Sequence, residues 1–287
     1  MEENKIKILW SELSQNKGAL IGLFICVLFL LLATFGPILS PFSPSELSSN
    51  LRLTPFWSPQ GSTFHLLGTD DMGRDTLTRL LHGARLSLFI GFFVVLVSAT
   101  LGLTLGLVSG YYGGKVDKFI MRIMDILMAL PSILLAIVIV SILGPGLINA
   151  VLAVAIVSIP AFTRIVRAGV IEEKQKDYVM AARVFGASDF RIMFLEILPN
   201  CSAPLIIQCT LGFSDGILNA AALGFLGLGA QPPTSEWGIM LSDARPFIES
   251  NPWQVTLPGI CILLIVVAFN LLGDGLRDAL DPRLKKG

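Results

Sequence analysis

Charge is scarce in this chain: 15% of its 287 residues are Asp, Glu, Lys or Arg, where a soluble domain carries roughly 25%. Together with 53% hydrophobic residues, that scarcity excludes an ordinary soluble domain and leads to the expectation of a polytopic membrane protein. The 21 basic and 21 acidic residues cancel, and no basic run of the kind that tracks phosphates is present, so nothing points to nucleic acid. Histidine is almost missing. His65 and His82 are the only two, too far apart in sequence to imply a metal site, and solvated or capping roles are expected of them. The four cysteines, Cys26, Cys201, Cys209 and Cys261, lie in or beside apolar segments without paired spacing, which argues against a disulfide framework and a zinc site. They read as small buried apolar side chains. A phosphate-binding Gly-x-x-x-x-Gly-Lys-Ser/Thr loop is absent, because Gly113-Gly114-Lys115 has neither the spacing nor the hydroxyl. No nucleotide-hydrolysing site and no bound cofactor are therefore expected in this chain, and it is not read as an enzyme.

What is present is apolar length. A helix needs about 20 mainly apolar residues to cross about 30 Å of hydrocarbon, and six stretches qualify: 19–39, 87–108, 124–143, 147–165, 205–228 and 257–272. The expected fold is all-α with six transmembrane helices. The first segment follows lysines, as a secretory signal would, but it exceeds a signal core of about 7–15 residues and no Ala-x-Ala site follows, so it is expected to remain as an anchor. Retained Lys and Arg mark the cytoplasmic side. With the amino terminus inside, sixteen of the 21 basic residues fall in the cytoplasm, and only Arg52, Arg74, Arg79, Arg85 and Arg245 fall outside. Both termini and the loop at 178–200 are thus expected to be cytoplasmic, and residues 1–17 read as a surface helix at that interface.

Between the fourth and fifth spans lies the one long polar insert with helical character, Tyr178-Val-Met-Ala-Ala-Arg-Val-Phe-Gly-Ala-Ser-Asp-Phe-Arg-Ile-Met-Phe-Leu-Glu-Ile-Leu-Pro-Asn200. The Ala181-Ala182 pair has no bulk, so a helix carrying it can press into a groove on another protein. Gly186 tolerates the left-handed conformation that commonly ends a helix. Ser188 or Asp189 can cap a second short helix through Ile197, and Pro199 suits the first turn of the next span. A second distinctive stretch is Gly68-Thr-Asp-Asp-Met-Gly-Arg-Asp75, where Asp70 or Thr69 can cap a helix carrying Leu77, Leu80, Leu81 and Ala84, pinned by Asp–Arg pairs.

Inside the spans, Ser98, Gly102, Gly106 and Gly110 recur every four residues and form one small face, a packing seam of the kind helices use in a bilayer. Whether it meets this chain or a partner is open, so Gly102, Gly106 and Gly110 are candidate pathway or subunit-interface positions. Arg122 and Asp125 are expected to pair along one helix, and Pro131 to kink the third span. Asp215 falls near the centre of the fifth span, where an unpaired carboxylate is costly. It reads either as a pathway-lining or inter-subunit group or as a protonated packing residue. Trp237 and Trp253 are expected as aromatic anchors at the interface.

Residues 178–200 resemble the EAA loop of bacterial ATP-binding-cassette importer permeases, on Ala181-Ala182, the glycine at 186 and the closing Ile197-Leu198-Pro199-Asn200. Met180 stands where the general motif has a glutamate, so packing of small residues rather than an acidic contact is what carries over. Residues 68–75, 178–200 and 223–283 together follow the order of the dipeptide, oligopeptide and nickel branch. The resemblance implies a type I importer permease, with residues 1–86 comprising the interfacial helix, first span and periplasmic loop, and residues 87–287 a five-helix core with its coupling loop at about 170–200. It implies ATPase-coupling roles for Tyr178, Ala181, Ala182, Gly186, Ala187 and Pro199. The implied partners are a second homologous permease, two ATPase subunits that hold ATP and Mg2+, a periplasmic substrate-binding protein and the lipid of a bacterial inner membrane. Dipeptides or short peptides are the expected cargo, with nickel, haem or antimicrobial peptides the alternatives for the same machinery. An ion-coupled secondary transporter is the competing class. It predicts several intramembrane ionisable groups and repeated halves, whereas only Asp215 lies deep and no clear repeat is present.

Overall fold

The computed structural model describes residues 11–59 and 61–280. The expected surface helix at 1–17 therefore lies outside the described residues through residue 10, as do Lys5, Lys7, Arg283, Lys285 and Lys286.

Helix α1 (Lys17–Leu39) begins where the Asn16 side chain accepts the Ala19 N–H at 3.1 Å. Helix α2 (Thr76–Tyr112) is 37 residues long. At 1.5 Å per residue it extends about 55 Å, well beyond the hydrocarbon thickness, so it starts eleven residues before the span that hydropathy alone marks from residue 87. Its cap is Asp75, whose carboxylate accepts the Thr78 N–H at 2.8 Å. Asp70 and Thr69, the expected caps, lie in the turn before it, and the division drawn between residues 86 and 87 falls inside the helix.

Two glycines in the left-handed region, Gly113 at φ 67° and Gly114 at φ 55°, turn the chain from α2 into α3 (Gly114–Met128). The single kinked span expected over 124–143 is instead broken: α3 and α4 (Ser132–Leu143) meet at 92°. Pro131 is the reason, since it offers no N–H, its ring excludes helix continuation, and its own backbone is extended at ψ 135°. The two halves also differ in character, because α3 carries Lys115, Asp117, Lys118, Arg122 and Asp125 whereas α4 carries no charge. The spans are therefore five long helices, or six if this bent pair counts as one.

Helix α5 (Leu147–Glu173) and α6 (Asp177–Val184) follow, then one turn (Asp189–Arg191), a π-helical stretch (Ile192–Ile197) and a 3-10 turn (Leu198–Cys201). Helix α7 (Ser202–Phe225), the short α8 (Trp237–Ala244) and α9 (Trp253–Leu280) complete the bundle. No strand occurs among the described residues.

The centre of the bundle is α2, which packs most extensively on α5 and also on α7 and α1, while α9 closes against α1 and α7. In lipid, close packing replaces the hydrophobic drive, and small residues permit it. A Cβ on Gly106 would stand 2.7 Å from Val166 Cβ, one on Gly110 2.7 Å from Val170 Cβ, and one on Gly102 would strike Phe162. The four-residue spacing of Phe162, Val166 and Val170 on α5 thus matches that of the glycines on α2. The seam is internal to the chain, which removes Gly102, Gly106 and Gly110 from the pathway or subunit-interface positions expected of them.

At the end of the bundle where α2 begins, Trp237 is fully buried, its indole donating to the Leu80 carbonyl at 3.2 Å and its ring edge-on to Phe29. It is a core residue and not the expected interface anchor; Trp253 is half-buried at the start of α9. His65 is buried too, against the expectation of solvation, with Nδ1 2.9 Å from Asp75 Oδ1. His82 Nδ1 lies 3.0 Å from the Thr78 carbonyl. The Asp–Arg pinning expected here is a charge cluster built on Asp70, Asp243, Arg74 and Arg79, with Asp71 at its edge 3.9 Å from Arg74. Arg79 bonds Asp70 at 2.5 Å and Asp243 at 3.2 Å, and Arg74 bonds Asp70 at 2.6 Å and Asp243 at 3.4 Å. Asp125 pairs with Arg164 of α5 at 2.6 Å, so the local Arg122–Asp125 pair gives way to a bond that ties α3 to α5.

Candidate functional site

At the opposite end, α6 and the irregular run after it form a projecting loop whose two sides differ. The inner side is apolar and anchored. Val179, Ile192, Met193 and Ile197 are buried against Leu107, Tyr111, Val166 and Val170, which come from the ends of α2 and α5. Ala182 and Ala187 pack on this cluster as well, leaving Ala181 outward. The pair expected to press into another protein is thus split: Ala182 serves the chain's own packing, and its small size lets α6 lie close to the bundle.

Helix α6 ends as expected at Gly186. Its φ of 79° lets the Ala187 N–H reach back to the Ala182 carbonyl and the Gly186 N–H to the Arg183 carbonyl, both at 3.0 Å. This double bond pattern is a Schellman cap. The Ser188 side chain, the first of the two caps expected, accepts the Arg191 N–H. Pro199 sits in the 3-10 turn that leads into α7 rather than inside α7.

Two tyrosines fasten the loop. Tyr111, at the last turn of α2, donates to Asp189 at 2.6 Å, and its ring is flanked by the Arg183 guanidinium at 5.7 Å and the Lys174 ammonium at 5.4 Å. Lys174 also donates to the Tyr111 carbonyl. Tyr178 donates to Glu173, the buried last residue of α5, which is bonded to Lys176 too, and accepts from Asn200 at 3.1 Å. Burial of the hydroxyl and then the Glu173 carboxylate push the Tyr178 phenol up to about 12, so it remains a donor throughout the neutral range. A third clamp joins the start of α3 to α5, where Arg167 bonds Asp117 through Nε at 2.5 Å and Nη2 at 2.7 Å, with Ser109 donating to the same carboxylate. A bidentate pair of this kind fixes direction as well as distance. The loop is thus bonded to the last turn of α2 through Tyr111 and to the last residue of α5 through Tyr178.

The outer side of the loop is apolar without cover. Val184 is 84% exposed, Phe185 89% and Phe190 67%, with Met180 beside them. The small residues of the loop do not point to this ridge; its one signal in the sequence is Val184-Phe185, an apolar pair directly before Gly186 in a polar insert. Tyr111 and Asp189 had no local signal, because 78 positions separate them, and the Lys176 that follows Glu173 by three residues gave no hint of the bond between Glu173 and Tyr178. Asp215 lies on the exposed side of α7 next to Leu218, and its carboxylate has no partner among the described residues. The structure brings Tyr178, Ala181, Ala182, Gly186, Ala187 and Pro199 into one loop and leaves Asp215 apart from it.

The chain is similar to known proteins in sequence and in fold. Residues 102–286 match the family described as "Binding-protein-dependent transport system inner membrane component", and residues 6–55 match "N-terminal TM domain of oligopeptide transport permease C". The chain is 53% identical over 278 residues to the dipeptide transport system permease protein DppC of Haemophilus influenzae, covering 96% of this chain and 94% of that one. It is 56% identical to the di/tripeptide transport system permease protein DppC of Pseudomonas aeruginosa, covering 98% and 93%. In fold it is similar to inward-facing structures of the MetNI methionine ABC transporter, with a TM-score of 0.56 at 20% identity, over 70% of this chain and 96% of that one. With a family match across more than half its length and relatives above half identity over nearly all of it, the chain belongs to the binding-protein-dependent transport system inner membrane components, as a permease subunit of an ABC importer.

Proposed function

We propose that this chain and a second homologous permease form the passage through which dipeptides and short peptides enter a bacterial cell across its inner membrane. Both termini and the α6 loop lie on the cytoplasmic side, and two ATPase subunits holding ATP and Mg2+ dock there, while a periplasmic substrate-binding protein delivers cargo at the opposite end. The observation that carries this reading is the two-sided loop: an uncovered apolar ridge of Val184, Phe185 and Phe190, spread over the end of α6 and the turn after it, on a segment bonded to α2 and α5. Ridge contact with a moving ATPase would shift both helices as a unit, the bistable coupling that alternating access requires. Asp215, exposed and without a partner on α7, is the side chain we assign to the passage or to the contact with the second permease.

The test is uptake of a labelled dipeptide into cells lacking only this gene, with labelled nickel in parallel and the restored wild-type gene as control. Loss of dipeptide uptake alone supports the reading; loss of nickel uptake alone reassigns the cargo. Gly186→Pro cannot adopt the φ of 79°, and Ala182→Trp cannot fit beneath α6. Either variant should insert into the membrane yet abolish uptake, and normal uptake in both would overturn the coupling role.

A further inference from the structure

Two cavities meet at Arg85 and Phe89, the first between α1 and α2 and the second between α2 and the loop segments at 44–45 and 233–235. The larger, about 720 Å³, is walled by Cys26, Leu30 and Thr34 of α1, Phe89 and Phe92 of α2 and Phe213 of α7. The second, about 530 Å³, opens toward the loops, against Ser45, His82, Thr234 and Ser235. Arg85 and Phe89 line both. Volumes of this size are those of ordinary ligand pockets, about 300–1,000 Å³.

The distribution of charge is what selects the ligand. Arg85 is exposed, has no hydrogen-bond or ion-pair partner among the described residues, and is the only fixed charge lining either cavity; no carboxylate lines them. Beyond it, α2 carries no charge from residue 86 to its end, and the facing wall of α1 carries none after Lys17. One cation at the edge, polar hydroxyls on the loop side and, on the other, apolar walls whose one hydroxyl, Thr34, is spent on the Leu30 carbonyl repeat the order of a phospholipid's headgroup and chain. An unpaired guanidinium at the margin of hydrocarbon attracts an anionic phosphate, which it can grip through two N–H groups.

We propose that this groove binds a phospholipid with an anionic headgroup, its phosphate at Arg85 and an acyl chain lying between α1 and α2. The site rests on the helices being membrane spans and not on the identity of the cargo. A second polypeptide could cover the same face, but it would have to bring its own carboxylate to Arg85.

The experiment uses the assembled transporter in phosphatidylcholine nanodiscs doped with either photoactivatable phosphatidylglycerol or photoactivatable phosphatidylcholine, crosslinks being mapped by peptide mass spectrometry. Phosphatidylglycerol should label residues 26–38 and 85–92 in preference to phosphatidylcholine. Arg85→Gln should remove that preference, a loss of about fivefold for one basic residue at a membrane surface, and Arg85→Lys should keep it. Thr34→Trp, at an exposed position on the cavity wall, should block both probes. Equal labelling by the two lipids, or an unchanged preference in Arg85→Gln, overturns the headgroup assignment. A photocrosslinker at residue 34 that captures the second permease instead of lipid assigns the groove to protein and overturns the proposal.

Discussion

Replacing Phe185 by alanine separates docking from folding. The ring is 89% exposed and forms no part of the apolar cluster that anchors the loop. The residue's backbone, φ −78° and ψ 8°, is open to alanine, so the Gly186 cap survives. Removing such a side chain from the isolated permease should change its stability by less than about 0.5 kcal/mol. If an ATPase covers the ring, the substitution forfeits the full burial of a phenylalanine, about 1.5–3 kcal/mol, which weakens docking by about 10- to 150-fold. The assay is a titration of the purified permease pair in nanodiscs with the ATPase subunits, read alongside thermal unfolding of the pair and dipeptide uptake in cells. Unchanged ATPase affinity would refute the ridge as a docking surface. A drop in thermal stability of the permease alone would show that the ring belongs to the fold.

Three further outcomes follow from packing and charge. Arg79→Met leaves Asp70 and Asp243 facing one another with Arg74 as their remaining cation; breaking a buried network by removing one partner costs about 3–5 kcal/mol, so thermal unfolding should shift strongly downward, and a loss under about 1 kcal/mol would show the cluster to be dispensable. Gly106→Leu places side-chain atoms where Val166 already stands and should force α2 from α5 at a cost of at least about 1–3 kcal/mol, whereas Gly259→Ala, with nothing within 4 Å of its new Cβ, should be neutral or slightly stabilising by comparison of unfolding temperatures. Glu236, the cap of α8, is buried with Ser87 and two backbone N–H groups but no cation among the described residues, and burial raises its carboxyl above the ordinary 4.5. The folded state then holds its proton more tightly than the unfolded state, so its contribution to stability falls as pH rises above about 4.5 toward the folded value. Glu236→Gln should flatten that part of the stability–pH curve, and an identical curve would exclude the group.

Residues 178–200 illustrate how far local pattern reaches. Gly186 as a helix stop and Ser188 as a cap were legible because each depends on a few neighbouring backbone groups. The Tyr111–Asp189 bond was not, because 78 positions separate its partners and nothing local to either residue requires the other. Likewise the glycines of α2 announced a seam, but only the matching register of Phe162, Val166 and Val170 on α5 says against what.

The sequence by itself determined that this is an all-helical membrane protein with its polar insert between two spans, since hydropathy over about 20 residues is a local property that no tertiary contact can reverse. Family motifs in the same sequence were enough to identify a permease. Tertiary structure alone decided that Pro131 breaks a span into two helices at 92°, that Trp237 is core rather than anchor, and that Asp125 bonds Arg164 in place of Arg122. It also turned Ala182 of α6 inward and Phe185, the residue that ends that helix, outward. Each of those outcomes depends on which faces of distant helices meet, and in a bilayer that is set by the fit of packed side chains rather than by the apolarity of any one segment.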